Sequence, residues 1–190
     1  MLTPANARRL AERLSQMRGA VMKVGQLMSM DGHGLLPPQF AELLGGLRDR
    51  AHVMPATQLI EVLEREYGSG WHARFRRFSF EPVAAASIGQ VHRAETPDGR
   101  VLALKIQYPG VRQSIDSDVA NLGLLARLPT PGPARPDPTA MLERIRVQLH
   151  RETDYAAEAA SLTAYREALG DDPVLTVPQV QADYCTATIL

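Results

Sequence analysis

Apolar and polar positions change period twice along the 190 residues. Over residues 4–30, Leu10, Leu14, Met17, Val21, Val24 and Met28 recur at three- and four-residue steps, the stripe of an amphipathic helix. Thr3 or Asn6 can cap its start, and "DGHGLLPP" (31–38) breaks it. Two shorter helices are predicted over 38–50 and 55–67, the second closing on Gly68. The pattern then shortens to period two. Strands are predicted near 77–83, 89–96 and 100–107, an antiparallel meander with "TPDGR" (96–100) as a hairpin turn. Helical spacing returns over 111–128, on Ile115, Val119, Leu122 and Leu125. "PTPGPARPDP" carries five prolines in ten residues and predicts a stiff linker. One long helix is expected from about 139 to 169, capped near Thr139 and ended by Gly170, with strands near 174–183 and 184–190 after it. The closing "ADYCTATIL" reads as a strand cut short, so the chain is expected to be a fragment.

These elements predict an α+β fold. A helical extension occupies 1–75. Residues 76–190 follow with a five-stranded antiparallel sheet, a long helix inserted after the third strand, and a linker or insert at about 109–138. That order is the order of a protein-kinase N-lobe, with the C-lobe absent.

Composition narrows the function classes. Hydrophobic residues make up 45% and charged residues 22%, as in ordinary globular chains. The formal net charge is zero, so no global field draws the chain to nucleic acid or to an anionic membrane. A lone cysteine, Cys185, excludes an internal disulfide framework and fits a reducing compartment. No apolar run approaches the roughly 18 residues of a membrane span, and the N-terminus lacks the apolar core of a secretory signal. The expectation is a cytoplasmic chain, or one meeting a membrane peripherally. The five histidines lack metal-ligand spacing, so no metal site is assigned.

Lysine usage points to candidate chemistry. Of 21 basic residues only two are lysine, Lys23 and Lys105. Lys105 lies in "VLALKIQ", inside an apolar strand, where a charge is costly unless paired. The long helix offers Glu152, Asp154 and Glu158 in "RETDYAAEA". At 100° per residue Asp154 and Glu158 share a face and Glu152 points away, which favours Glu158 as the partner. A lysine snorkelling at a strand edge, with the acids as a solvated face, also fits these residues alone. The turn "PVAAASIGQV" (82–91) has alanines where a nucleotide-binding turn of a kinase has glycines, with Gly89 alone remaining. Alanine disfavours positive φ and stiffens such a loop, though on these residues alone a small-residue turn packed under a helix is the plainer reading. In "RGAVMKVGQLMSM", Lys23 and Gln26 share a helix face, and Gly25 suggests close approach by another backbone. An amphipathic helix with one solvated lysine is the plainer reading of that segment.

"KVGQ", "AAAS", "VLALKIQYPGV" and "ETDYAAEA", in this order, resemble the UbiB family of atypical kinase-like proteins, which includes the coenzyme Q biosynthesis kinases of bacteria and mitochondria. The resemblance runs from about Asn6 to Leu190. It implies a kinase-like fold with a helical extension whose Lys23 and Gln26 cover the nucleotide site. It makes Ala84, Ala85, Ala86 and Ser87 the alanine-rich loop, and Lys105 the ligand of ATP phosphates with Glu158 as its partner. Glu152 and Asp154 become paired acids facing the extension and Lys23. Implied partners are ATP and an isoprenoid lipid or quinone-biosynthesis enzymes, and no nucleic acid. The implied location is the cytoplasm or a membrane periphery, or the mitochondrial matrix in a eukaryote. There is no Asp-Phe-Gly segment and no catalytic loop, so Mg²⁺ ligands are expected in the absent C-lobe, and this chain alone is expected not to turn over ATP. The alternative is a non-catalytic pseudokinase-type module that binds lipid or biosynthetic enzymes. An ordinary protein kinase is disfavoured by the alanine loop and the extension.

Overall fold

The structure is a computed structural model, and it describes residues 53–126, 137–170 and 172–190. The helices expected over 4–30 and 38–50 lie outside the described residues, as do 127–136 of the expected linker. The described chain divides into two compact units, 53–109 with 151–190, and 110–150.

The unit of 53–109 and 151–190 is built on one amphipathic helix and one sheet. α1 (Ala56–Tyr67) buries Leu59, Val62 and Leu63, a stripe at three- and four-residue spacing. Gly68 ends it at φ 84°, a left-handed position that favours glycine. A single 3₁₀ turn (Trp71–Arg74) leads into β1 (Arg77–Ala85), β2 (Gly89–Glu95) and β3 (Val101–Gln107), an antiparallel sheet in the order β1-β2-β3. β2 and β3 pair in unbroken register from Gly89 opposite Gln107 to Glu95 opposite Val101. β1 is irregular, with register shifts on both sides of Pro82. Proline has no amide to give the ladder, so it sits where the ladder is interrupted.

Alternation in β3 divides the sheet into two faces. Leu102, Leu104 and Ile106 are buried, and with Ala94 they join Leu59, Val62, Leu63, Trp71 and Phe75 in one hydrophobic core. The Trp71 and Phe78 rings meet edge to face at 5.4 Å, within the range where aromatic pairs attract. Val101, Ala103 and Lys105 lie on the opposite face, across from Glu95, Arg93 and Val91 of β2. The two strands come unusually close at one point. A Cβ added to Gly89 would collide with the Ile106 carbonyl oxygen, so only glycine fits there.

In the unit of 110–150, α2 (Val111–Ala126) buries Ile115, Val119 and Leu122, and α3 (Thr139–Glu152) buries Ile145 and Leu149. A Cβ at Gly123 would stand 3.2 Å from Leu142 Cδ1, so glycine lets these helices lie close. On their outer surface Asp116 accepts hydrogen bonds from His150 at 3.0 Å and from Arg146 at 3.5 Å.

Two expectations need correction. The single helix expected over 139–169 is two helices, α3 and α4 (Tyr155–Leu169), interrupted at Thr153 and Asp154. Asp154 sits at φ −91°, ψ 84°, outside helical geometry, and its carboxylate accepts from the Ala157 amide at 3.0 Å. An N-cap acid of this kind starts a new helix instead of continuing the old one. The strands expected at 174–183 and 184–190 do not form, and among the described residues the sheet has three strands, not five. Pro173 and Pro178 cannot donate to a ladder. Asp172 folds the segment into a turn by accepting from the Val174 and Leu175 amides, and 182–184 form a 3₁₀ turn. Only the last residues pair with β3. Ile189 bridges Ile106, and Leu190 exchanges backbone hydrogen bonds with Lys105 at 2.7 and 3.0 Å.

Candidate functional site

The interruption between α3 and α4 aims side chains that one straight helix would send in different directions. Glu152 and Glu158 are six residues apart, about 240° around an unbroken helix at 100° per residue. With the break, both turn toward the sheet's loop and third strand. Lys105 Nζ donates to both carboxylate oxygens of Glu158, at 2.6 and 2.7 Å. The pair is half-buried, with 24% and 33% of the two side chains exposed. Short charge-assisted bonds of this kind are about twice as strong as neutral ones.

Three neighbours complete the arrangement. Ser87 Oγ donates to Glu152 Oε2 at 2.8 Å, tying the loop after β1 to the end of α3. Gln107 Nε2 donates to the Thr153 carbonyl at 2.8 Å, in a buried contact. That carbonyl lies where the helical ladder has stopped, so an acceptor orphaned by the break is satisfied from β3. The ring of Tyr155 lies beneath the ammonium, with Lys105 Nζ 4.9 Å from its centroid. Burial pushes the Tyr155 phenol well above its ordinary range, and the negative charges of Glu158 and Glu152 push the same way.

The alanine-rich stretch is less of a loop than its sequence suggests. Ala84 and Ala85 still pair with Val91 and Gln90 as part of β1. Only Ala86, Ser87 and Ile88 turn the chain, with the Ala86 amide donating to the Gly89 carbonyl at 2.8 Å. Asp154 serves as the α4 cap, and Lys23 and Gln26 lie outside the described residues. Beside the pair a cavity of about 660 Å³ opens, lined by Val91, Ala103, Lys105, Glu158, Val180 and Tyr184 among others. Its volume falls within the roughly 300–1,000 Å³ of small-molecule sites, and its walls are mostly apolar, with Arg100 and the Lys105–Glu158 pair as the charged groups.

The sequence named Lys105, Glu158 and Ser87, but not Tyr155, Gln107 or the Val91–Ala103 wall. Period-two alternation in "VLALKIQ" carried the signal for Ala103 and Gln107, which share a face with Lys105. Tyr155 lies inside the quoted "ETDYAAEA", but nothing in the pattern gave it a role. Among the described residues no group of three or more His, Cys, Asp or Glu side chains converges.

A family model, the ABC1 atypical kinase-like domain, matches residues 46–190. The chain is 39% identical over 190 residues to atypical kinase COQ8, mitochondrial, of Saccharomyces cerevisiae, covering all of this chain and 38% of that protein. It is 43% identical over 169 residues to the probable serine/threonine-protein kinase abkA of Dictyostelium discoideum, covering 89% of this chain and 30% of that one. With the probable protein kinase UbiB of Marinobacter nauticus the identity is 30% over 186 residues, covering 96% and 34%. The chain therefore spans about a third of the length of these curated relatives. Among solved structures, the complex of Rv3197 with erythromycin from Mycobacterium tuberculosis matches with a TM-score of 0.56 and 34% identity, over 96% of this chain and 46% of that one. An α+β arrangement with a small antiparallel sheet, a strand lysine paired to a helix glutamate, and these matches lead to one conclusion: the chain belongs to the ABC1 atypical kinase-like family.

Proposed function

We propose that the Lys105 face of the sheet binds ATP, and that the chain is the nucleotide-holding portion of an atypical kinase or ATPase. The observation that carries this reading is the bidentate Lys105–Glu158 pair lining a mostly apolar cavity. In phosphoryl-transfer sites of this type a strand lysine neutralises the α- and β-phosphates, and a helix glutamate holds that lysine in place. Val91 and Ala103 offer a flat apolar wall for a base. Ser87, its hydroxyl donated to Glu152, ties the turn beside the phosphates to the end of α3, and alanine at 86 keeps that turn stiffer than glycine would. Mg²⁺ would neutralise phosphate charge when bound with the nucleotide, but the described residues supply no ligand set for it, so no step is assigned to it. Lys23 and Gln26 keep their proposed role as a cover over this site. The family supports a role for the whole protein in ubiquinone or other isoprenoid-lipid biosynthesis, at a cytoplasmic, mitochondrial or membrane-peripheral location. Among the described residues no helix is long and apolar enough to cross a membrane.

The test is calorimetric titration of the full chain with ATP. Saturable binding that is lost in Lys105→Ala supports the reading. Binding of equal strength in Lys105→Ala rejects it.

A further inference from the structure

Tyr155 contacts the functional lysine without belonging to any expected motif role. The residue is 1% exposed, and its ring centroid lies 4.9 Å from Lys105 Nζ. Its hydroxyl is buried with no hydrogen-bond partner. The hydroxyl therefore does not account for the contact with the ammonium, which is made by the ring face. The geometry points to Tyr155 as a positioning residue for Lys105: its ring is one wall of the ammonium's seat, and Glu158 is the other.

A lysine ammonium has three donors on a flexible stem, so one carboxylate fixes its distance but not its direction. The negative face of an aromatic ring within about 6 Å attracts a cation and is stronger when water is excluded. Tyr155 begins α4, directly after the Asp154 cap, and Glu158 lies one turn further on. One short segment therefore delivers both contacts, and the Gln107–Thr153 hydrogen bond fastens its start to the strand that carries Lys105. Glu158 faces the ammonium directly, Glu152 and Tyr108 act electrostatically on the Tyr155 phenol, and Arg100 lines the same cavity. The seat's use, holding Lys105 toward a nucleotide's phosphates, rests on the ATP reading above. The contact itself does not.

The test measures the reactivity of Lys105 toward N-hydroxysuccinimidyl acetate by peptide mass spectrometry on the full chain, without nucleotide. The chain has only one other lysine, so the site is read cleanly. Tyr155→Leu is expected to acylate about three- to tenfold faster at Lys105, the range expected for loss of a half-buried cation–π contact. Tyr155→Phe keeps the ring face and is expected to stay within about twofold of the wild type, because phenol and benzene faces attract cations similarly. If Tyr155→Leu fails to fold, progressively fluorinated phenylalanines at position 155 keep the shape while weakening the ring's negative face, and Lys105 acylation should rise stepwise. A flat fluorine series overturns the proposal, since a residue that only packs would give that result. ATP titration of the same proteins separates the two readings. A rising series with no ATP binding in the wild type keeps the seat and rejects the nucleotide, and a flat series with intact ATP binding does the reverse.

Discussion

Lys105 and Glu158 meet with 24% and 33% of their side chains exposed, while Asp116 meets Arg146 and His150 with 64%, 43% and 37% exposed. Both clusters join an acid to a cation across two elements. The first is bidentate, short and backed by a buried ring. The second is spread over two donors in water, one of them at 3.5 Å. Solvent screens the second and side-chain entropy opposes it, so ion pairs of that kind contribute little. The same residue chemistry yields a half-buried, ring-backed pair in one place and a screened surface cluster in the other, and the difference lies in what surrounds the charges.

The largest test of that contrast is Glu158→Gln. It removes the charge from the half-buried partner and is expected to weaken ATP binding by about 10- to 100-fold, the scale of a hydrogen bond to a charged group. Glu152→Gln should weaken it less, because Glu152 acts through Ser87. Calorimetry on both variants checks the order, and equal losses would mean that the loop and the lysine pair matter alike.

Histidines give a second contrast. His92 is buried, donating from Nδ1 to the Ser79 carbonyl and stacked on Phe78, with Nε2 unpartnered. Burial holds it below the ordinary histidine value. The unfolded chain therefore binds a proton that the folded chain refuses, and stability should fall as pH drops through about 6.5, levelling off below the folded value. Denaturant midpoints between about pH 7.5 and 5.5 should show this slope, and His92→Gln should flatten it.

A smaller effect is expected from Tyr155→Phe, which removes an unsatisfied buried hydroxyl and should raise stability by about 1 kcal/mol. Chemical denaturation measures it, and a loss of stability would reveal a partner for the hydroxyl. The smallest effect belongs to the exposed cluster. Histidine and arginine hold the Asp116 carboxyl below its usual range. Asp116→Asn should nevertheless leave the melting temperature unchanged within error at neutral pH, in low and high salt alike.

The two regions also differ in how far the sequence could be read. The stripe of Leu59, Val62 and Leu63 and the alternation of "VLALKIQ" are local signals, and they gave α1 and β3 nearly to the residue. The contact of Lys105 with Glu158 followed from needing an acid near an apolar strand and from counting degrees around a helix. That count assumed one unbroken helix, and it put Glu152 away from the site. Thr153 and Asp154 stop the helix through a side-chain cap, a signal that hydrophobic spacing does not carry. The C-terminal stretch failed differently. Its β-branched residues favour strands, but Pro173, Pro178 and the Asp172 turn use up the backbone that a ladder would need. Tyr155 stayed hidden because a tyrosine in a helix is ordinary until the ammonium above it is known.

The sequence separation of 53 from Lys105 to Glu158 sets a timetable for synthesis. A ribosome adding about 5–20 residues per second takes roughly 3–10 s to go from the lysine to its carboxylate. In that interval β1, β2 and β3 can pair through short turns, whereas the lysine's partner does not yet exist. The nascent sheet therefore presents an unpaired ammonium on its open face until the α3–α4 junction emerges and docks. The pair closes over a long loop, so it completes the unit late and does not start it.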